Sequence, residues 1–391
     1  MGVSVPTREE LVASAEELLP LLRENAAEGE SRRRLTDEVV EALDGSGVLR
    51  MRRPVRYGGH EADTRTVTDV VTQLTRGDGA AGWTVAVWSI SSWMMGRFPE
   101  KVREEVFSSP DTRVSGIIGP SAVAAPVEGG VVVNGRWAFN TGVQQSHWNT
   151  SAAVLARPDG GFEPVMLAVP VEDLGVVDDW DTAGLRGSGS VSTVAEGLFV
   201  PEERVLPVVP VLQGQPAYEG EEPSPAYAVP FMPTACATIS GVALGLALAA
   251  RDLFFERLPG RKITYTAYDD QSAAPVTHLT VAEAEAAIEE AAFHTRRAAE
   301  IADLGGPTGG WPLEDRSKVR LHMGAACRRA REAVTLLADA SGASSVYSSV
   351  PIQRVERDMR TLSLHAIMHP STNFELHGRT MCGLEPNTDY V

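Results

Sequence analysis

The spacing of hydrophobic residues follows a helical period at the start of the chain. Arg8–Asn25 places its apolar side chains on one stripe at intervals of three and four residues, and Thr64–Arg76 is again helical in pattern. Ala80–Gly96 is apolar almost throughout, which is typical of a buried helix. Thr36 precedes another periodic segment and is suited to cap it. We therefore predict an N-terminal helical domain over residues 1–110.

Between residues 111 and 205 the helical period gives way to short apolar runs separated by turn residues. The runs are Val131–Phe139, Ala152–Ala156, Val165–Val169 and Val191–Val200. Gly129-Gly130 precedes the first run, and Pro158-Asp159-Gly160-Gly161 separates the second from the third, as turn signals do. The pattern predicts a small antiparallel β-domain over residues 111–205.

The remainder of the chain divides into an irregular segment and a second helical region. Residues 206–233 hold seven prolines and are predicted to form a connector. The helical period then returns, and residues 234–391 are predicted to form a helical bundle. Its four long helices are expected at 234–258, 277–304, 313–341 and 351–368. The whole order predicts an α+β fold, mainly α, and excludes a Rossmann domain because strands and helices do not alternate.

Charge and cysteine content narrow the functional classes. The 391 residues carry a formal net charge of −17, which would repel a nucleic-acid backbone. The three cysteines, Cys236, Cys327 and Cys382, are far apart, which fits a reducing cytoplasm better than a zinc site or a disulfide scaffold. The acidic first 22 residues do not resemble a signal peptide. No stretch is expected to reach the roughly 18 uncharged apolar residues of a membrane span.

Five short motifs, in an order that spans most of the chain, resemble motifs of the acyl-CoA dehydrogenase superfamily. They are Pro54-x-x-Tyr57-Gly58-Gly59, Gly77-Asp78-Gly79-Ala80-Ala81, Gly135-Arg136-Trp137-Ala138-Phe139-Asn140-Thr141-Gly142, Gly184-Leu185-Arg186-Gly187-Ser188-Gly189-Ser190 and Pro351-Ile352-Gln353-Arg354-x-x-Arg357-Asp358. The third and fourth are similar to the two strands that contact flavin in that superfamily. The resemblance implies the superfamily's fold: helices, a β-domain and a four-helix bundle.

The flavin-binding residues are implied by the same resemblance. They are Trp137, Phe139, Asn140, Thr141, Gly142, Arg186, Ser188 and Ser190. Trp137 and Phe139 can supply flat walls for the ring, and Thr141 can place a hydroxyl near its N5 atom. Taken without the resemblance, the glycines around these residues favour simple turns and the aromatic residues favour core packing.

Two departures separate the chain from the dehydrogenases of the superfamily. Those enzymes take a substrate proton with a glutamate on the last helix, where this chain has Leu364–Met368. Some relatives keep the glutamate on the first bundle helix, so Glu256 leaves that route open. The cofactor signature Arg-x-x-Phe-Gly is replaced by Arg257-Leu258-Pro259-Gly260-Arg261-Lys262. Both departures weaken the dehydrogenase interpretation.

The flavin-dependent hydroxylases of the superfamily offer a better match at the C-terminal end. They favour Gln-Arg-x-x-Arg-Asp, then a histidine, then a glycine-rich motif. This chain has Gln353-Arg354-Val355-Glu356-Arg357-Asp358, His365 and Gly378-Arg379-Thr380-Met381-Cys382-Gly383-Leu384. The resemblance implies the oxygenase component of a two-component flavin monooxygenase. Such an enzyme uses reduced FAD or FMN and O2, through a C4a-hydroperoxide, to hydroxylate an aromatic phenol or indole, here expected in antibiotic or other secondary metabolism.

The resemblance also implies partners and catalytic residues. Reduced flavin is expected from a separate NAD(P)H:flavin reductase, and the chain is expected to form a homotetramer. His365 is expected to donate to the peroxide oxygens and to titrate near neutral pH, while Thr141 protects the flavin N5–H.

The same residues also bear on other functions. His365 and His369 have a metal-binding spacing, but Pro370 disfavours helix there and no carboxylate precedes His369 at the spacing of a zinc motif, so no metal is predicted. An acyl-CoA dehydrogenase or oxidase with bound FAD and a flavin-free binding scaffold stay open.

Overall fold

The computed structural model describes residues 5–157, 160–304 and 311–391. Residues 1–4 of the acidic segment, and Pro158 and Asp159 of the predicted turn, lie outside the described residues. The helices that precede the sheet are α1 (Arg8–Glu17), α2 (Leu19–Arg32), α3 (Asp37–Ser46), α4 (Thr64–Gly77), α5 (Gly79–Met95) and α6 (Glu100–Val106).

The first predicted helix, Arg8–Asn25, is wrong in its extent. The structure divides it at Leu18 into α1 and α2, and α2 continues to Arg32. Pro20 in the first turn of α2 accounts for the break, because proline has no N–H to donate to the preceding turn. Thr36 caps α3 as predicted, since its hydroxyl accepts a hydrogen bond from the Val39 N–H at 3.3 Å.

A seven-stranded sheet follows in the described residues. Its strands are β1 (Val114–Val127), β2 (Gly130–Trp137), β3 (Trp148–Ala156), β4 (Phe162–Pro170), β5 (Gly175–Val177), β6 (Ser192–Pro201) and β7 (Val205–Pro207). Their order across the sheet is β5-β6-β2-β1-β3-β4-β7. Most neighbouring strands run antiparallel, as predicted. One face of the sheet encloses its own apolar cluster, which includes Trp137 and Val133.

The prediction of an antiparallel sheet is wrong for its central pair, because β1 and β3 run parallel. β2 runs antiparallel to β1, and Gly135 near its end pairs with Ala122 in the middle of β1. The connection then reaches the start of β1, where the His147 N–H donates to the Arg113 carbonyl at 2.9 Å and Trp148 pairs with Val114 on the other side of β1. Alternating apolar residues determine which face of a strand is buried, but not its direction.

The helices that follow the sheet are α7 (Val208–Leu212), α8 (Phe231–Arg257), α9 (Pro275–Leu304), α10 (Leu313–Ala340), α11 (Ile352–Leu362) and α12 (Pro370–Met381). The segment predicted as an irregular connector therefore contains α7 and the first turn of α8. The predicted helix over 351–368 is wrong at its end, because α11 stops at Leu362 and a turn carries His365. Pro370 then starts α12 and disfavours helical backbone in the residue before it.

The buried helix α8 corrects the prediction that no segment is long and apolar enough to span a membrane. Its 27 residues meet that condition by length and composition, but 94% of the apolar window is buried inside the fold. Two glycines let α8 lie directly on α4. A Cβ at Gly241 would come within 2.6 Å of the Thr68 carbonyl oxygen, and one at Gly245 within 2.4 Å of Thr75 Cβ. In the described structure α8 is thus a helix of the core.

The helix α5 joins the sheet to the bundle. It contacts β1 on one side and α4 and α8 on the other. Asp78 caps it by accepting a hydrogen bond from the Ala81 N–H at 3.1 Å. Side chains from α5 can therefore reach a space bounded by both the sheet and the bundle.

Candidate active site

A cavity of about 940 Å³ lies where α5 and the sheet meet the bundle, within the usual size range of small-molecule sites. Most of its wall is apolar or aromatic, including Trp83, Val87, Ile90, Met94, Ile117, Phe139, Trp180, Phe231 and Ile239. Its polar wall includes Thr141, Ser190, Arg320, His365 and Tyr390. In the part of the chain that the structure describes, no aspartate or glutamate lines it. The cavity is therefore suited to a largely apolar, flat ligand.

A chain of buried hydroxyl groups lies on the sheet side of the cavity. The Trp83 indole N–H donates to the Thr141 hydroxyl at 3.1 Å. Thr141 is hydrogen-bonded to Ser190 at 2.7 Å, and Ser190 to Ser188 at 2.8 Å. Because each hydroxyl has at least one protein partner, the positions of Thr141 and Ser190 on the cavity wall are well determined.

The backbone around Thr141 is shaped by two residues with positive φ. Phe139 has a φ of +65° and Gly142 a φ of +66°. A Cβ at Gly142 would come within 2.6 Å of the Trp88 indole nitrogen, so the turn requires glycine. The Gly142 N–H donates to the Ser188 carbonyl at 3.0 Å, which ties the two predicted flavin motifs together.

A buried carboxyl group supports the second motif from behind. Asp358 Oδ1 accepts a hydrogen bond from the Leu185 N–H at 2.6 Å, and Leu185 has a φ of +51° at the start of the turn that leads to Ser188. Burial, together with the nearby Asp78, raises the pKa of Asp358 to about 7. Asp358 therefore links α11 to the backbone that carries the hydroxyl chain.

His365 lies on the opposite side of the cavity, in the turn between α11 and α12. Its Nδ1 atom accepts a hydrogen bond from the Ile367 N–H at 3.3 Å, which leaves the proton of the neutral ring on Nε2. Its ring meets that of Trp83 edge-on, with 5.2 Å between the centroids. Burial, assisted by the charge of Arg320, lowers the pKa of His365 to about 4. This corrects the expectation of titration near neutral pH: the ring is a neutral N–H donor there.

Four of the predicted site residues line one cavity: Phe139, Thr141, Ser190 and His365. Trp137 does not; it is completely buried in the sheet and donates its indole N–H to the Ala152 carbonyl at 2.7 Å. It is thus corrected from a cavity wall to a core residue. Phe139 lies outside the core because its positive φ turns the chain away from the strand.

The remaining predicted residues support the cavity from outside. Asn140 is fully buried and bonded to Thr193 and Asn149 at 3.0 and 2.8 Å. Arg186 pairs with Asp181 at 2.9 Å. Gly142 and Ser188 act through the contacts given above. None of the four belongs to the cavity wall in the described residues.

Several cavity residues were missed in the sequence, among them Trp180, Arg320 and Tyr390. The sequence around these residues carries no signal that distinguishes them from core or surface residues. The fold brings them together from distant positions. Glu256, in contrast, lies outside the cavity. It is about half exposed and pairs with Arg23 at 2.9 Å. Glu256 is therefore not placed to take a proton from a molecule bound in the cavity.

The residues present fit a flavin ring. Such a ring needs flat apolar surfaces and fixed hydrogen-bonding groups at its N5 and carbonyl edges. Trp83, Phe139 and Trp180 supply aromatic surfaces, and the hydroxyls of Thr141 and Ser190 supply fixed polar groups. Thr141 and Ser190 are the residues that would hold the polar edge of the ring.

Comparison with known proteins also indicates a flavin-binding protein. The family described as "Acyl-CoA dehydrogenase, C-terminal domain" matches residues 237–370. The oxygenase subunit HsaA of a flavin-dependent monooxygenase from Rhodococcus jostii is 29% identical, over 95% of this chain and 98% of its own. An indole-3-acetate monooxygenase from Pseudomonas putida is 30% identical, over 96% and 95% of the two chains.

A solved structure agrees over the whole fold. XiaF from a Streptomyces species, in complex with FADH2 and glycerol, superposes with a TM-score of 0.91 at 29% identity, covering 97% of each chain. The chain therefore belongs to the acyl-CoA dehydrogenase superfamily, in its branch of flavin-dependent monooxygenase oxygenase components.

Proposed function

We propose that this chain hydroxylates an aromatic small molecule of phenol or indole type, with reduced FAD or FMN and O2. The observation that carries the proposal is the cavity itself. It combines aromatic walls, a fixed hydroxyl pair at Thr141 and Ser190, and a neutral imidazole donor at His365. The indole-3-acetate monooxygenase relative supports an aromatic substrate. The XiaF complex with FADH2 supports reduced flavin as the cofactor.

Each wall of the cavity has a separate part in this reaction. When bound, reduced flavin supplies the electrons that activate O2. Thr141, which already accepts a hydrogen bond from Trp83, has its own proton available for Ser190 or for the flavin edge. His365 can donate its Nε2–H to an oxygen atom in the cavity. The apolar walls exclude water, which limits the loss of activated oxygen as H2O2.

A separate reductase is the proposed source of reduced flavin. The name of the HsaA relative, an oxygenase subunit, supports a partner protein of that kind. A homotetramer is the proposed assembly, and the outer face of α9 supports contact between copies. Leu279, Phe293 and Leu304 expose 65%, 58% and 78% of their surface on that helix. The cytoplasm is the proposed location, because two of the three cysteines are buried and all are free.

Turnover tests the proposal directly. The purified chain is mixed with an NADH-dependent flavin reductase, FAD or FMN, and a panel of phenols and indoles, while product and H2O2 are quantified. The expected result is an oxygenated product that requires this chain, with less H2O2 than the reductase forms alone. H2O2 as the sole product with every compound, or reduction of a dye by an acyl-CoA, would count against the proposal.

Flavin binding provides a second test that does not depend on the substrate. Since the Arg-x-x-Phe-Gly signature is absent, we expect the purified protein to be nearly colourless and to bind reduced flavin more tightly than oxidised flavin. Anaerobic titration with both redox forms measures the two affinities. Stoichiometric oxidised FAD that survives gel filtration would contradict this expectation.

A further inference from the structure

One buried cation lines the cavity without a carboxylate partner in the described residues. Arg320 on α10 exposes 6% of its surface. Its Nε–H donates to the Asn373 side-chain oxygen at 2.5 Å, and Nη1 donates to the Tyr390 carbonyl. Nη2 has no hydrogen-bond partner in the part of the chain that the structure describes, and the residue belongs to the cavity wall. The guanidinium is thus held in place on one side and left available on the other.

Other buried arginines of this protein are used differently. Arg97 is completely buried, but it pairs with Glu221 at 2.7 Å and donates to two backbone carbonyls. Arg53 donates to the carbonyls of Ser109 and Thr112 and lies over the ring of Phe107. Neither lines the cavity. These residues fix loops, whereas Arg320 presents unused N–H groups to a ligand space.

The surroundings of Arg320 favour an anionic ligand. A buried charge without a counterion is unfavourable in an apolar environment, and an anion that binds there offsets this cost. The planar guanidinium matches the two oxygens of a carboxylate, with charge-assisted hydrogen bonds. Around it the cavity is mainly apolar and aromatic, which suits the ring of the same molecule.

We propose that Arg320 is a specificity-determining residue that binds the carboxylate group of an aromatic substrate. This inference rests on the proposed function and names its substrate class: aromatic acids in which a short chain separates ring and carboxylate. With the carboxylate at Arg320, the ring lies among the apolar walls, within the same cavity as His365 and Thr141. The mainly apolar walls around Arg320 favour a ring with one carboxylate over the several charged oxygens of a flavin phosphate.

Binding to the flavin-free protein tests this assignment without turnover. Isothermal titration compares aromatic acids with their neutral amides: indole-3-acetate with indole-3-acetamide, and 4-hydroxyphenylacetate with 4-hydroxyphenylacetamide. In the native chain at least one acid should bind about 10- to 100-fold more tightly than its amide, the factor expected for a charge-assisted hydrogen bond. Arg320→Gln should remove this difference, and Arg320→Lys should keep part of it.

A matched control separates the charge from the fold. Arg316 lies one turn earlier on α10 and donates to the Val391 carbonyl at 3.3 Å, but it does not line the cavity. Arg316→Gln should therefore leave the preference for the acid unchanged. Thermal melting of all variants identifies any that fail to fold, and Arg320→Lys keeps the test valid if Arg320→Gln unfolds.

The outcomes distinguish this inference from the proposed function. Equal affinities for acid and amide, no measurable binding of any acid, or an unchanged preference in both folded Arg320 variants would overturn the role of Arg320. So would loss of affinity for reduced flavin alone, because that result assigns Arg320 to the cofactor. If Arg320-dependent acid binding is found but no compound is oxygenated, the proposed function fails and the binding site stands.

Discussion

The two walls of the cavity hold their polar groups in different ways. On the sheet wall, which comprises Thr141 and Ser190, the hydroxyls are bonded to each other, to Trp83 and to Ser188 behind the wall. On the helical wall, which comprises His365 and Arg320, His365 is anchored at Nδ1 and Arg320 at Nε and Nη1, and each has N–H groups left for a ligand. A fully bonded wall is suited to orient a flat ring, and a partly bonded wall is suited to donate hydrogen bonds during a reaction.

Loss of the His365 donor on the helical wall should have the largest effect on hydroxylation. In His365→Ala we expect reduced flavin still to consume O2, but hydroxylation to fall by about 10²- to 10⁴-fold, the range for a lost proton-transfer group. His365→Asn should recover part of the product, because its amide can still donate. Product and H2O2 per reduced flavin are the quantities to measure.

The control for this change is His377→Ala. His377 lies on α12, is hydrogen-bonded to the Ser317 hydroxyl at 3.0 Å and does not line the cavity. The His377→Ala variant should therefore retain the native ratio of product to H2O2. A His365→Ala protein that melts early but couples normally would show that His365 only packs against Trp83.

Loss of a hydroxyl on the sheet wall should have a smaller effect that includes stability. Thr141→Val removes the acceptor of the buried Trp83 N–H, at an expected cost of about 1–3 kcal/mol in the free energy of unfolding. More H2O2 should be released per product, since the flavin edge loses a partner. Urea unfolding and product analysis measure the two effects.

Thr193→Val is the matched control for the sheet wall. Its hydroxyl is also buried and accepts a hydrogen bond from Asn140 at 3.0 Å, but it does not line the cavity. This variant should lose stability without additional H2O2. Unchanged coupling in Thr141→Val would remove Thr141 from the reaction and leave it as a structural residue.

The carboxyl group behind the sheet wall should make stability depend on pH. An unfolded Asp358 ionises near its ordinary pKa of 3.8, but in the folded chain the proton is held until about pH 7. Its contribution to stability is therefore complete below pH 3.8 and is lost as the pH rises through 7. Asp358→Asn, which can still accept the Leu185 N–H, should gain stability relative to the native chain between pH 5 and 8.

Urea unfolding at pH 5 and pH 8 measures this difference. Glu356→Gln, on the exposed side of α11, is the control for loss of a negative charge alone. An advantage of Asp358→Asn that does not change with pH, or a larger deficit at pH 8 than at pH 5, would contradict the assignment.

The smallest expected effect is the response of the helical wall to mild acid. Because the pKa of His365 is lowered to about 4, the ring stays neutral from pH 8 down to about pH 5.5. The ratio of product to H2O2 should therefore be constant over that interval. A midpoint near pH 6.5 that disappears in His365→Asn would show that His365 titrates as an ordinary histidine.

His365 should also affect stability, with the sign opposite to that of Asp358. The unfolded histidine takes up a proton as the pH falls through 6.5, whereas the folded one does so only near 4. Stability from this group is complete above pH 6.5 and is lost towards pH 4. The two groups therefore oppose each other in mild acid, and single variants are needed to separate them.

Local patterns predicted much of the fold. Helices α4 and α5 were placed within a few residues, because their periodicity and the turn between them are properties of consecutive residues. The parallel pairing of β1 and β3 was not predictable, since it depends on how a ten-residue connection crosses the sheet. The sheet wall was partly predictable from its motifs. Phe139 follows Trp137 by only two positions, but it lies outside the core because of its own positive φ.

The helical wall was harder to predict than the sheet wall. The resemblance points to His365, but the helical period predicts helix where its turn lies, and its low pKa results from burial that no local pattern encodes. Arg320 looks like an ordinary charged residue of an amphipathic helix in the sequence. In the fold it lines the cavity, where Asn373 accepts a hydrogen bond from its Nε and the Tyr390 carbonyl accepts one from its Nη1.

The close contact between α8 and α4 has a consequence for synthesis on the ribosome. The chain emerges from its N-terminus, so α4, with the Thr68 and Thr75 surface that receives Gly241 and Gly245, is complete long before α8 appears. The other side of α8 contacts α10, which is made about 60 residues later. During that interval the α10 side of α8 is uncovered, although α8 is long and apolar enough by composition to span a membrane, and it is then that a chaperone would be most useful.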